Sequence, residues 1–359
     1  MLFRSILFIG FLITPVTVKV FGWNNSINIE NRIVYKFPKF NIYKLEDFIN
    51  EYDTYYKENF GLRYLLFAWY SNFKIAVLNE SPLPDRALVG KKGWLFLGDL
   101  FGFGLKEQAG IIQFNTKELK SFADSIVAKQ KYFDSLNIKY YLCVAPNKQT
   151  IYPEILPYSI VPNKSKLDLL SVEMKKYPQL NFIDVLSPLN NKKDSVDLYY
   201  KSDSHWNRLG AFIAYNKIMS ELAIDFPEIK PVTYEHYTIK PFSGIMAKDI
   251  ANMINQKYFE ADYEFILKEN VSLICDSNVF SPNDKKITYE VRYRNPTKKL
   301  KVLVFGDSFA ASMVDFLIGN FGSTIFIGPT MLKKEIIENE KPDIVIQEVV
   351  ERDIDFLIY

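Results

Sequence analysis

Apolar positions along this chain switch repeatedly between two periods. Leu45, Phe48, Ile49, Tyr52, Tyr55 and Tyr56 recur at helical spacing, which predicts a helical arm running to about residue 78. After the breaker Ser81-Pro82-Leu83-Pro84, segment 89–97 reads as a hairpin or strand entering a domain. From Thr116 onward the two signals alternate. Helix 117–136 leads to strand 140–145, and helix 164–176 to strand 180–185. Asn207 can cap a helix reaching about residue 222. The strand at 302, a helix from 310, strand 324–327, helix 331–338 and strand 344–349 complete the series. These strands are short, almost wholly apolar runs, as expected where both faces are covered. The pattern predicts an α/β fold with a parallel sheet between helical layers, whose ligands bind beyond the carboxyl ends of the strands. Segment 233–293 breaks the rhythm. Mixed and rich in aromatic residues, it reads as an insertion forming a lid or an acceptor-binding surface.

The first residues follow another pattern. Arg4 precedes the apolar stretch 5–18, which has the length of a signal peptide. No small-x-small cleavage site follows, because Lys19, Val20, Phe21, Gly22 and Trp23 come next. An uncleaved signal anchor is therefore favoured over a removed signal peptide, and in both cases the remaining chain is exported. The expected organisation is an anchor or signal peptide at 1–22, a polar linker and helical arm at 23–84, and a catalytic domain at 85–359.

With 48% hydrophobic and 16% aromatic residues in 359, the chain can bury one large core. The formal net charge is +2, with acidic and basic residues interspersed, so nothing points to nucleic acid. Cys143 and Cys275 lie in apolar runs far apart in sequence and read as buried thiols.

Candidate chemistry concentrates in two segments, Lys201-Ser202-Asp203-Ser204-His205-Trp206-Asn207 and Phe305-Gly306-Asp307-Ser308-Phe309. Only His205 and His236 offer an imidazole. Asp203 and His205 are two positions apart, so in extended chain they face one side. Ser308 falls on a strand-to-helix turn, which lifts a hydroxyl above the sheet and leaves backbone N–H groups to stabilise an oxyanion. A serine needs a base to take its proton, and an imidazole oriented by a carboxylate is the usual one. Taken alone, the Asp-x-His pair also fits half a metal site or a surface ion pair, and Gly-Asp-Ser fits an ordinary turn.

In these segments the chain resembles the AlgJ/AlgX-type polysaccharide (alginate) O-acetyltransferases. The resemblance extends to Asn59-Phe60-Gly61-Leu62-Arg63, Gly90-Lys91-Lys92-Gly93-Trp94-Leu95-Phe96, Ala145-Pro146-Asn147-Lys148 with Tyr152, Gly210, and Lys341-Pro342-Asp343-Ile344-Val345-Ile346. Segment 247–251 matches the family's Gly-Asp-Leu-Ala pattern only loosely. The resemblance implies an SGNH-hydrolase-like three-layer α/β/α sandwich with permuted motif order, in which Ser308 is the nucleophile, His205 the general base and Asp203 its orienting carboxylate. Asn147 is expected as an oxyanion donor beside the Ser308 N–H, and Lys148, Tyr152 and Trp206 as substrate contacts. The implied activity is acetyl transfer to hydroxyls of an exported polysaccharide through an acetyl-serine. It needs no metal or other cofactor, and a membrane-bound O-acyltransferase serves as donor partner outside the cytoplasm. A deacetylating esterase and a non-catalytic polysaccharide-binding protein are the alternatives.

Overall fold

The computed structural model describes residues 2–22, 35–102, 104–157, 163–246, 248–268, 274–279, 289–328 and 330–358. The asparagine-rich linker expected at 24–31 lies outside them. The N-terminal apolar run forms helix α1 (Leu2–Val20), and the arm is a helix pair, α2 (Leu45–Glu58) and α3 (Arg63–Leu78). Among the described residues no helix is long and apolar enough to cross a membrane, so the span expected of a signal anchor is not found there.

The domain opens with the expected hairpin, β1 (Ala87–Val89) against β2 (Leu95–Leu97), antiparallel. There follow α4 (Gly104–Gln108), α5 (Thr116–Ser135), β3 (Lys139–Ala145), α6 (Lys148–Ile151), α7 (Lys166–Met174), β4 (Phe182–Ile183), α8 (Leu186–Asn190) and α9 (Arg208–Asp225). The inserted region supplies β5 (Tyr237–Met246), α10 (Asp249–Met253), β6 (Tyr258–Leu267), β7 (Ile274–Val279) and β8 (Tyr289–Arg294). The chain then returns through β9 (Lys301–Phe305), α11 (Ser308–Leu317), β10 (Ser323–Gly328), α12 (Lys334–Glu340) and β11 (Ile344–Val350).

Capping explains where the long helices begin. Asn115 accepts from the Lys117 and Glu118 N–H groups while Glu118 reaches back to the Asn115 N–H, and Asn207 accepts from Leu209 and Gly210.

Seven strands form the main sheet in the order β4-β3-β11-β9-β10-β8-β7. The first five run parallel, as expected, but β8 pairs antiparallel with β10, and β7 with β8. Part of the insertion therefore extends the sheet. Alternate residues of each central strand enter opposite layers. Tyr141, Cys143, Val302, Val304 and Ile346 pack with Phe212, Tyr215 and Phe316 of α9 and α11. Tyr140, Leu142, Leu303 and Val345 pack with Phe122, Phe133, Leu170 and Ile337 of α5, α7 and α12. Each such large side chain, fully buried, contributes about 1.5–3 kcal/mol. The result is an SGNH-hydrolase-like three-layer sandwich. Cys143 is a free, buried thiol.

The other inserted strands, β5 and β6, form an antiparallel hairpin. It does not stand away from the core as a flap: Tyr237 and Phe265 pack edge-on or tilted against Phe212 of α9.

Candidate active site

Ser308 is the first residue of α11, directly beyond the carboxyl end of β9. Asp307 caps the helix by accepting the Phe309 N–H at 2.7 Å, and its other oxygen takes the Val350 N–H at 2.9 Å. Beneath this turn Glu348 of β11, fully buried, accepts from the Asp307 N–H at 3.2 Å and the Ala310 N–H at 3.3 Å. Burial, and then the adjacent Asp307 charge, push the Glu348 carboxyl well above the usual range. Gly306 is required by close approach, because a Cβ there would lie 2.3 Å from the Ala310 Cβ. These contacts occupy the N–H groups of 307, 309 and 310, and among the described residues the Ser308 N–H has no partner. One donor at the start of α11 is thus left uncommitted, of the kind that can stabilise an oxyanion.

The loop before α9 brings the other two groups to this hydroxyl. His205 Nε2 is 2.6 Å from Ser308 Oγ, and its Nδ1 is 2.6 Å from Asp203 Oδ1. The carboxylate fixes the tautomer, with Nδ1–H donating to Asp203 and Nε2 accepting from the serine. Burial alone would raise the Asp203 pKa. The hydrogen bonds from the His205 ring and N–H and from the Asp249 N–H outweigh it and hold the carboxyl well below the usual carboxylate range. Phe309 packs under the imidazole, ring centroids 4.9 Å apart. Ser308 is exposed, so the hydroxyl meets solvent.

The inserted region clamps this loop. Asp249 Oδ1 accepts the Ser204 N–H at 2.9 Å, its other oxygen takes the Ser204 hydroxyl, and its own N–H donates to Asp203 Oδ2 at 3.3 Å. Glu260 on β6 accepts the Ser202 N–H at 2.7 Å, and Asp262 accepts the Arg208 N–H at 3.1 Å and the Tyr200 hydroxyl. Burial and the Asp203 charge raise the Asp249 pKa. The hint of Asp249 in the sequence is the loose pattern match at 247–251. Glu348 had a stronger signal, a carboxylate inside a strand buried at all seven positions.

The remaining expected site residues are placed differently. Lys148 is 2% exposed, and its ammonium donates to the carbonyls of Leu95 at 2.6 Å, Lys201 at 2.8 Å and Asp203 at 3.0 Å. Tyr152 is buried, accepting the Leu198 N–H through its hydroxyl. Trp206 is buried edge-on to Phe309 and donates its indole N–H to Ser312. All three are buried and engaged with protein groups, which corrects the expectation of direct substrate contact. Asn147 does not cap α6 through its side chain, and its N–H donates to Glu351 at 2.8 Å. It lies at the carboxyl end of β3, with β11 between it and Ser308.

Asp203, His205 and Asp249 offer ligand-type atoms within 4.8 Å of one another. Those atoms are already paired, Nδ1 with Asp203 and the Asp249 oxygens with Ser204, so holding a cation would mean breaking the relay. As built, the arrangement can activate a serine hydroxyl, return its proton and stabilise one oxyanion, which is the chemistry of acyl transfer.

A family model described as the SGNH hydrolase-like domain of the acetyltransferase AlgX matches residues 87–317. The structure is similar to that of Bacillus cereus PatB1, at 17% identity and TM-score 0.55, covering 75% of this chain and 97% of that one. It is similar to a DHHW family protein from Eubacterium siraeum at 12% identity and TM-score 0.54, covering 76% and 97%. The O-acetyltransferase domain of Pseudomonas putida AlgJ is matched at 13% identity and TM-score 0.49, covering 75% and 92%. No functionally curated protein matches the sequence. At these identities the likenesses to PatB1 and to the DHHW family protein establish the fold alone.

Proposed function

Given that the chain belongs to the family of SGNH hydrolase-like domains of the acetyltransferase AlgX, we propose that it is an O-acetyltransferase acting on hydroxyls of an exported polysaccharide. The observation that carries this reading is the continuous relay from Asp203 through His205 to an exposed Ser308 whose N–H is uncommitted.

In the first step Ser308 Oγ attacks the carbonyl carbon of an acetyl donor as its proton passes to His205 Nε2. The Ser308 N–H stabilises the oxyanion, with the Asn147 amide as the second donor. Collapse expels the donor's leaving group, which takes the proton from His205, and leaves acetyl-Ser308. A sugar hydroxyl then gives its proton to Nε2 and attacks the ester, and Ser308 recovers its proton as it leaves. Asp203 stays ionised and keeps the imidazole aligned. The donor is a membrane-bound O-acyltransferase that delivers acetyl groups across the membrane. The chain works outside the cytoplasm, held at the membrane by its N-terminal segment. Alginate is one acceptor of the required class.

The solvent exposure of Ser308 favours a second reading, hydrolysis of acetyl esters, in which water takes the place of the sugar hydroxyl. Intact mass spectrometry of the full chain with p-nitrophenyl acetate and a panel of oligosaccharides separates the two. Transfer requires an added acetyl on the protein that moves to a sugar, both lost in Ser308→Ala. Acetate without acetylated sugar selects the esterase, and an unacetylated wild type overturns both.

A further inference from the structure

α3 has two unlike sides. Toward the domain, the buried Ser71 hydroxyl donates to the Ile254 carbonyl, Asn72 accepts from Gln256 at 2.9 Å, and Ile75 packs on the cluster of Ala87, Leu95 and Ile250. The opposite face carries Leu65, Leu66, Trp69, Tyr70, Phe73 and Val77, all between 47% and 80% exposed, with Trp69 the most. At 100° per residue these six fall within one stripe that contains no charged side chain. A contiguous apolar stripe of this kind marks an interaction surface.

α1 is apolar in the same way. Ile6, Phe8, Phe11, Leu12 and Val16 are about half or more exposed. It meets the arm where Gly61 approaches so closely that a Cβ would stand 1.9 Å from the Pro15 carbonyl oxygen. Lys19 completes the joint by donating to the Tyr55 hydroxyl at 2.9 Å. Whatever covers α1 is therefore continuous with what meets the N-terminal end of α3. Between them the two helices carry Arg4, Lys19, Arg63 and Lys74 and no carboxylate of their own, with Lys74 paired to Glu80 just beyond α3.

We propose that the outer face of α3 is a lipid-binding surface that lies, beside α1, in the headgroup region of an anionic bilayer. The inference deepens the reading that the chain works at a membrane and names the face that meets it. An uncharged stripe with Trp and Tyr, bordered by Arg63 and Lys74, has the chemistry of an interfacial helix. The arrangement also has a catalytic sense. α10 lies between α3 and the histidine loop, tied to one by Ile254–Ser71 and to the other by Asp249–Ser204 and by the Ala251 N–H to the Ser202 carbonyl. A bilayer under α3 would hold the reacting serine beside the place where a membrane-bound donor delivers acetyl groups.

The test uses the full chain with phosphatidylethanolamine vesicles, with and without phosphatidylglycerol, and reads no catalysis. Tryptophan quenching by brominated lipid is measured for wild type and Trp69→Phe. Trp94 and Trp206 are 2% and 1% exposed, and Trp23 is common to both proteins, so the difference reports Trp69. The quenching should fall in Trp69→Phe, and Trp69→Glu/Phe73→Glu should cut co-flotation about tenfold without moving the thermal midpoint, since both side chains are exposed. Co-flotation with quenching equal in wild type and Trp69→Phe overturns the lipid face while leaving membrane attachment intact. Wild type that fails to float overturns both. A Trp69 shielded by a second copy of the chain, seen as a dimer in sedimentation, also overturns the proposal.

Discussion

The Asp249 N–H donates to Asp203 Oδ2 at 3.3 Å, so the orienting carboxylate is itself held by a residue 46 positions later. The same Asp249 grips Ser204 through backbone and hydroxyl, which fixes the residue between the two members of the relay. Removing it should loosen the imidazole rather than unfold the domain. Asp249→Ala is expected to lower turnover of an activated acetyl ester by about a hundredfold, the scale of an ångström of misplacement. Asp249→Asn, which keeps one acceptor oxygen, should lose about tenfold. Wild-type turnover in the alanine variant would remove Asp249 from the site.

Glu348 makes a different case. Its Oε2 serves two backbone donors at the start of α11, and burial beside Asp307 pushes the carboxyl pKa well above the usual range. A neutral amide can do the same work, so Glu348→Gln should stay within roughly 1 kcal/mol of wild type. Glu348→Ala leaves two buried N–H groups unpaired and a cavity below the nucleophile, and should cost about 2–4 kcal/mol. Urea unfolding compares the pair; equal losses would mean that the charge, not the acceptor, matters.

The parts legible in the sequence were those written locally. The turn at Ser308 and the Asp203–His205 pair each lie within a few residues, and with two histidines in the chain the choice of base was almost forced. The five parallel strands were legible because burial on both faces makes them apolar runs. The antiparallel extension was not, since β8, although it lies between β10 and β7, reads Tyr-Glu-Val-Arg-Tyr-Arg and offers no apolar run. Asp249, Glu260 and Asp262 act on a loop 45 to 62 positions away, a relation no local pattern records. The resemblance points to Lys148, Tyr152 and Trp206 as substrate contacts, yet the fold turns all three inward.

Lys148 gives the fold a pH dependence. Burial pushes its ammonium down to about 7 from 10.5, so between these values the unfolded chain binds more protons than the folded one. Stability contributed by this site therefore rises with pH across that window, by up to roughly 1.4 kcal/mol per pH unit, and is flat below it. Urea midpoints at pH 7 and pH 9 should rise more in wild type than in Lys148→Met. Lys129, lowered to about 8 by burial, contributes equally to both chains and cancels. Parallel midpoints in the two proteins would show that the three carbonyls keep the lysine charged.

The last prediction concerns the turn itself. A Cβ on Gly306 would sit 2.3 Å from the Ala310 Cβ and 3.1 Å from Glu348 Oε2, neither of which can swing aside, because one is on the helix and the other is buried and hydrogen-bonded to it. Gly306→Ala must therefore push α11 away from β11. The overpacking should cost about 1–3 kcal/mol, a loss the large core can absorb. The displacement carries Ser308 with it, away from His205 Nε2, and the 2.6 Å contact is the one the first chemical step uses. Acetyl-serine formation should then slow by a hundredfold or more while the protein stays folded at 25 °C. Stopped-flow acylation alongside thermal unfolding decides the matter, and a variant that acylates at the wild-type rate would show that the turn is not what positions the nucleophile.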